Sequence, residues 1–187
     1  MLCGWTAIAT NRGLRMPRPI VVDTSAALAW IRGEPLGDTV ASHLERQRAA
    51  NGEVVVPWHF WLEVANVLVR RYRYEADDVV DTVRNLDAVE IRAVELNRVL
   101  WLLMLDRMTT LGLTAYDAAY LALAESIDAT LLTLDAGLAA AAGPRTVPIG
   151  PRRLADVPST YQVAQPGEVW ARFGEYLAQL RREVLAG

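Results

Sequence analysis

Asp23, Glu63, Asp117 and Asp135 are the residues of this chain whose type and setting promise chemistry. Asp23 closes the apolar run Ile20-Val21-Val22 and precedes Thr24-Ser25, while Asp135 closes the run Leu131-Leu132-Thr133-Leu134. Glu63 and Asp117 lie among apolar residues in two stretches that read as helices, WLEVANVLVR and LTAYDAAYLALAE. In an open α/β sheet, carboxylates at the C-terminal ends of parallel strands face the ligand crevice. Gathered there they repel: two unit charges ~4 Å apart cost ~4 kcal/mol at an effective dielectric of ~20. Divalent cations with oxygen ligands are the usual remedy.

Each acid also has a purely structural use. Asp23 and Asp135 can cap the helices that follow them, and Asp117 stands three residues after Thr114 in a capping-box-like arrangement. Thr133, two positions before Asp135, returns to the same side of its strand. Glu63 is flanked by apolar surface and is costly if buried without a partner. Asn66, three residues on, shares its helix face and can bind Asp23 or a water at a cation. Small residues around Asp117 (Ala115, Ala118 and Ala119) let that helix come close to the crevice. Glu95, Asp106, Asp77, Asp78 and Asp81 read as solvated helix faces.

Composition removes several other chemistries. All 19 basic residues are Arg. The absence of Lys excludes a P-loop and Schiff-base catalysis. One cysteine, Cys3, permits neither an intrachain disulfide nor a Cys-based zinc site, and fits a reducing cytoplasm. His43 and His59 are too few for a His-rich metal centre and read as surface or packing residues. A phosphotransferase of the haloacid-dehalogenase type needs an acid where Ser25 stands, and a receiver domain needs a Lys. The sequence contains no GxSxG and no HExxH, and no GxGxxG follows the first strand. With a net charge of −3 there is no global basic field. No apolar run reaches the ~20 residues of a membrane span, and the first 17 residues lack the features of a signal peptide.

The elements that must position the acids follow from periodicity and caps. Strands are expected at Pro19–Asp23, Glu53–Val56, Val89–Ile91, Thr130–Leu134 and Thr146–Ile149. Helices are expected from Thr24 or Ser25 as cap to about Ile31, then over Gly37–Ala50, Trp58–Tyr74, Glu75–Leu86, Glu95–Leu111, Thr114–Ser126 and Ala136–Ala142. Short apolar strands alternating with helices are the pattern of a mainly parallel sheet covered on both faces, an α/β fold. Residues 1–17 read as a tail in which Met16 is an alternative start, and residues 18–150 as the domain. Residues 151–187 read as a linker and an amphipathic C-terminal helix over Glu168–Ala186. Arg70, Arg71 and Arg73, interleaved with Tyr72 and Tyr74, can bind phosphates or stack bases, with Arg32 a weaker candidate. A solvated helix end explains the same arginines.

Four stretches in order, each carrying its acid, resemble the PIN-domain ribonucleases and, within them, the VapC-type toxins of toxin–antitoxin pairs: VVDTSAALAWI, WLEVANVLVR, LTAYDAAYLALAE and LLTLDAGLAAAA. The resemblance spans about residues 19–149. It implies a three-layer α/β/α sandwich (PIN-like), cleavage of RNA dependent on Mg²⁺ or Mn²⁺, a cognate antitoxin and a homodimer. By position it gives the family's acidic roles to Asp23, Glu63, Asp117 and Asp135, with Thr24, Ser25 and Thr133 at the edge. In such a site a cation polarises a phosphodiester and acidifies the attacking water. Two other readings stay open on residues alone: a catalytically silent PIN-fold module acting through protein partners, and a metal-dependent nuclease or phosphatase with a non-RNA substrate.

Overall fold

The first apolar run forms a wholly buried strand, β1 (Ile20–Val22), and the chain turns at Asp23 straight into α1 (Thr24–Ile31). The structure, a computed structural model, describes residues 17–147 except residue 88, together with residue 149. After α1 come α2 (Gly37–Ala49), β2 (Val54–Pro57), α3 (Phe60–Tyr72), α4 (Ala76–Asp87) and β3 (Arg92–Val94). Then follow α5 (Arg98–Leu111), α6 (Ala115–Ser126), β4 (Thr130–Leu132) and α7 (Ala136–Ala142), with a 3₁₀ turn over Gly143–Arg145. The strand order is β3-β2-β1-β4 and every pairing is parallel. Val21 sits opposite Val55 on one side and Leu131 on the other.

Helices α1 to α4 pack among themselves, while α5 to α7 form a second group in which α6 lies against β1, β2 and β4. This is a three-layer α/β/α sandwich. Ala118, Ala119, Ala122 and Ala124 are buried on α6, and their size lets its backbone approach the sheet. Val21, Val55, Leu131, Phe60, Leu68 and Tyr120 belong to the one core cluster. Because the chain leaves β1 toward β2 and later returns to β4 on the other side of β1, the strand order reverses between β1 and β4. A crevice opens at the C-terminal ends of strands where such an order reverses.

Four expectations need correction. Asp23 itself caps α1, its carboxylate accepting from the Ser25 N–H, so neither Thr24 nor Ser25 is the cap. The third strand is Arg92–Val94 rather than Val89–Ile91. The Val89 N–H is spent on the Leu86 carbonyl and Glu90 adopts φ +55°, so the chain is still turning out of α4 there. The fourth strand ends at Leu132, and Thr133 and Leu134 lead away from the sheet. At Thr146–Ile149, the described residues make a single parallel bridge, Leu131 to Thr146. The Thr146 N–H bonds back to the Gly143 carbonyl, which leaves the Val147 N–H to reach Leu131. The expected tail and C-terminal helix lie outside the described residues. Among the described residues, no helix is long and apolar enough to cross a membrane.

Candidate active site

Asp23 is delivered by the β1-to-α1 turn. It is 6% exposed and, among the described residues, hydrogen-bonded on one oxygen only. Ser25 Oγ, the Ser25 N–H (3.3 Å) and Thr133 Oγ1 (2.8 Å) all donate to Asp23 Oδ2. The Thr133 hydroxyl also accepts from the Asp135 N–H at 3.0 Å, and Ser25 Oγ accepts from the Leu134 N–H at 2.9 Å. Two side chains from the β1 and β4 ends thereby stitch the switch point together.

Glu63 sits in the first turn of α3, one residue before the buried Val64. Its Oε2 accepts from Thr24 Oγ1 at 3.0 Å and from the Tyr120 hydroxyl at 2.5 Å. Thr24 Oγ1 and the Tyr120 hydroxyl are 2.8 Å apart. His59 Nε2 lies 3.7 Å from the same Oε2 and, among the described residues, has no hydrogen-bond partner. Asp117, at the third position of α6, accepts the Thr114 hydroxyl on Oδ2 at 2.7 Å, while Thr114 Oγ1 takes the Asp117 N–H at 3.2 Å. Asp135 caps α7 through Oδ1, which accepts from the Leu138 N–H at 2.7 Å.

A pattern emerges from these partners. Each of the four carboxylates is anchored through one oxygen, and among the described residues its other oxygen has no protein hydrogen bond. No arginine pairs with any of them among the described residues. Burial pushes the Asp23 carboxyl up to about 6 and the nearby Asp117 charge adds to the shift, against the lowering by Ser25 and Thr133. Burial pushes the Glu63 carboxyl up to about 7, with the Asp23 and Asp117 charges acting the same way against the Tyr120 hydrogen bond. Asp117 is raised by burial and by Asp135. The four acids therefore feel one another as a connected set. Burial lowers His59 to about 4 and keeps it neutral. Burial, with the Asp23 and Glu63 charges, holds the Tyr120 phenol well above its ordinary value, so it remains a donor.

The donor chemistry fits a hard divalent cation. It offers free carboxylate oxygens, adjacent hydroxyls and no competing counter-charge. The spacing is open, since among the described residues no three acidic, His or Cys side chains stand close enough to enclose an ion.

Among the supporting residues expected from sequence, Thr24, Ser25 and Thr133 are built into this network. Asn66 is exposed on α3 and makes no hydrogen bond to the set. Arg70, Arg71 and Arg73 are exposed at the far end of α3. Arg32 is engaged elsewhere: its guanidinium lies 3.3 Å from the Tyr72 ring centre and donates to Tyr74 and Glu34. Tyr120 and His59 are the two contributors that sequence reasoning passed over, Tyr120 standing within LTAYDAAYLALAE without a role and His59 read as a surface or packing residue.

The comparisons with known proteins agree with this fold. The PIN domain model matches residues 20–144, more than half of the chain. This chain belongs to the PIN domain family. Among solved structures, PAE2754 from Pyrobaculum aerophilum is similar at 26% identity and TM-score 0.51, covering 70% of this chain and 90% of its own. A toxin-antitoxin complex from Klebsiella pneumoniae is similar in fold at 16% identity and TM-score 0.53, covering 71% of this chain and 99% of that one. VapC20 of Mycobacterium tuberculosis, a Sarcin-Ricin loop cleaving toxin, shares the fold at 20% identity and TM-score 0.52, over 69% and 99% of the two chains. No curated protein matches the sequence.

Proposed function

We propose that this PIN-domain protein is a metal-dependent endoribonuclease, the toxin of a toxin–antitoxin pair. One observation carries the reading: four carboxylates linked electrostatically through Asp117, each fixed by one oxygen, stand near the reversal of strand order with no arginine paired to them among the described residues. Asp23 and Asp117 are the residues that would hold Mg²⁺ or Mn²⁺, with Glu63 and Asp135 completing the set. Such a cation, when bound, neutralises the carboxylates, polarises the phosphodiester and acidifies the attacking water.

The chain's own residues do the rest. Ser25 and Thr133 keep the Asp23 carboxylate from rotating. The α7 cap does the same for Asp135. Phosphate contacts position a nucleic acid without reading its sequence. Arg70, Arg71 and Arg73 supply exposed cations for them about 10 Å and more along α3 from Glu63, at ~1.5 Å of rise per residue. Arg32, stacked on Tyr72, is poorly placed to join them.

The partners follow from the same reading. The similar folds include a toxin-antitoxin complex, which supports a cognate antitoxin. Val99, Trp101 and Leu102 on α5 and Leu62 and Val69 on α3 are exposed apolar residues, which supports a homodimer. The open spacing of the acids is the one observation on the side of a catalytically silent PIN-fold module. Expression of the chain without a partner in a bacterial host decides between them. The nuclease reading predicts growth arrest with new RNA 5′ ends, both absent with Asp23→Asn. Equal growth of the two strains would leave the silent module.

A further inference from the structure

Three polar groups from three different elements converge on one atom. Thr24 from α1, Tyr120 from α6 and His59, just ahead of α3, all face Glu63 Oε2, at 3.0, 2.5 and 3.7 Å. None of the three is hydrogen-bonded to Oε1. Thr24, His59 and Tyr120 are all buried, Tyr120 completely.

The proton count gives the trio a direction. Tyr120 and Thr24 own one hydroxyl proton each, and the ionised carboxylate owns none. The Tyr120 proton goes to Oε2. The Thr24 proton goes either to Oε2 or to the Tyr120 oxygen, and both arrangements leave the carboxylate hydrogen-bonded through Oε2 alone. A short bond from a buried phenol to a carboxylate is among the stronger hydrogen bonds a protein makes. Tyr120 also joins α6, which carries Asp117, to α3, which carries Glu63. The distance between the two acids is therefore tied to this bond.

We propose that Tyr120 is a positioning residue of the active site, which locks Glu63 Oε2 and so leaves Oε1 as the oxygen that Glu63 would offer a cation. The inference rests on the metal-dependent reading above. Thr24 seconds the lock, and the buried His59 Nε2 stands 3.7 Å from the same oxygen. Losing the hydrogen-bonding partner of a metal-ligating group typically costs ~10- to 100-fold in metal affinity. The same loss is expected here.

Calorimetric titration of metal-free full-length protein with Mn²⁺ tests it without RNA. Tyr120→Phe keeps the ring and removes only the hydroxyl; it is expected to bind Mn²⁺ at least ~10-fold more weakly than wild type. In a Glu63→Gln background, the same change is expected to have no further effect, because Tyr120 acts through Glu63. Phe60→Leu, which removes buried volume from α3 without touching a hydrogen bond, is expected to lower Tm and leave Mn²⁺ affinity intact. Should Tyr120→Phe not fold, Thr24→Val carries the same cycle. Wild-type affinity in Tyr120→Phe, or an equal loss in both backgrounds, overturns the positioning role alone. A wild-type chain that binds no Mn²⁺ overturns the metal reading and this inference with it.

Discussion

Burial lets Asp23 and Glu63 keep their protons to higher pH in the metal-free folded chain than in the unfolded one. Burial lifts Asp23 from 3.8 to about 6 and Glu63 from 4.5 to about 7, and the hydrogen bonds from Ser25, Thr133 and Tyr120 offset only part of it. The sign follows from proton counting. Well below pH 4 both states are protonated at these sites and the contribution is constant. As pH rises from about 4 to 7, the unfolded state loses its protons first, so the folded state loses stability relative to it. Each pKa unit is worth ~1.4 kcal/mol, which puts the loss on the order of a few kcal/mol. In EDTA, Tm should therefore fall between about pH 4 and pH 7, and saturating Mn²⁺ should remove that fall, because a cation favours the deprotonated acids. A Tm that is flat with pH, or that falls equally with and without Mn²⁺, would contradict the account of these carboxylates. The part of Glu63 in this was legible from its apolar flanks, which demand a partner. Tyr120, which supplies the shortest bond to it, was not: it comes from 57 positions away and sits in an apolar helix as any core aromatic would.

The elements matter because the acids come from four separate junctions. Asp23 directly follows β1, Asp135 follows β4 after Thr133 and Leu134, and each caps the next helix, so the strand-to-helix connections also aim the carboxylates. α6 carries Asp117 and packs against β1, β2, β4 and α5 with four buried alanines that keep its backbone close to its neighbours. Ala122 is 1% exposed there. Ala122→Leu should cost about 1–3 kcal/mol by overpacking and, by lifting α6, should also weaken Mn²⁺ binding. Urea unfolding and calorimetry check the two effects, and full stability with Leu at this position would show that α6 is not tightly seated. Most of these elements were readable beforehand: Thr114 caps α6, and Gly112 ends α5 in the left-handed conformation at φ +66°. β3 was not. It is an edge strand whose Arg92 and Ala93 are exposed, and Arg92 is tied to Glu53 at 2.7 Å. Its sequence thus lacks the apolar signal that marked β1 and β2, and Val89-Glu90-Ile91 mimicked a strand while forming the turn before it.

At the scale of the whole molecule, a parallel sheet with its order reversing beside β1 brings together residues that are more than a hundred positions apart, Asp23 and Thr133 among them. The spacing of the acidic motifs along the sequence already pointed to that fold, and the PIN domain match over residues 20–144 agrees with it. What spacing along a chain cannot convey is which oxygen of each carboxylate is left free, since that depends on hydroxyls from other elements. The claim that depends on all of it is RNA cleavage by the assembled site. The direct measurement is cleavage of a structured-RNA panel, tRNA and rRNA included, by purified protein with Mn²⁺ or Mg²⁺, beside Asp23→Asn and beside EDTA. The account predicts discrete cuts by the wild type alone. Cutting that survives both Asp23→Asn and EDTA, or a folded, Mn²⁺-binding wild type that cuts no RNA, would contradict it.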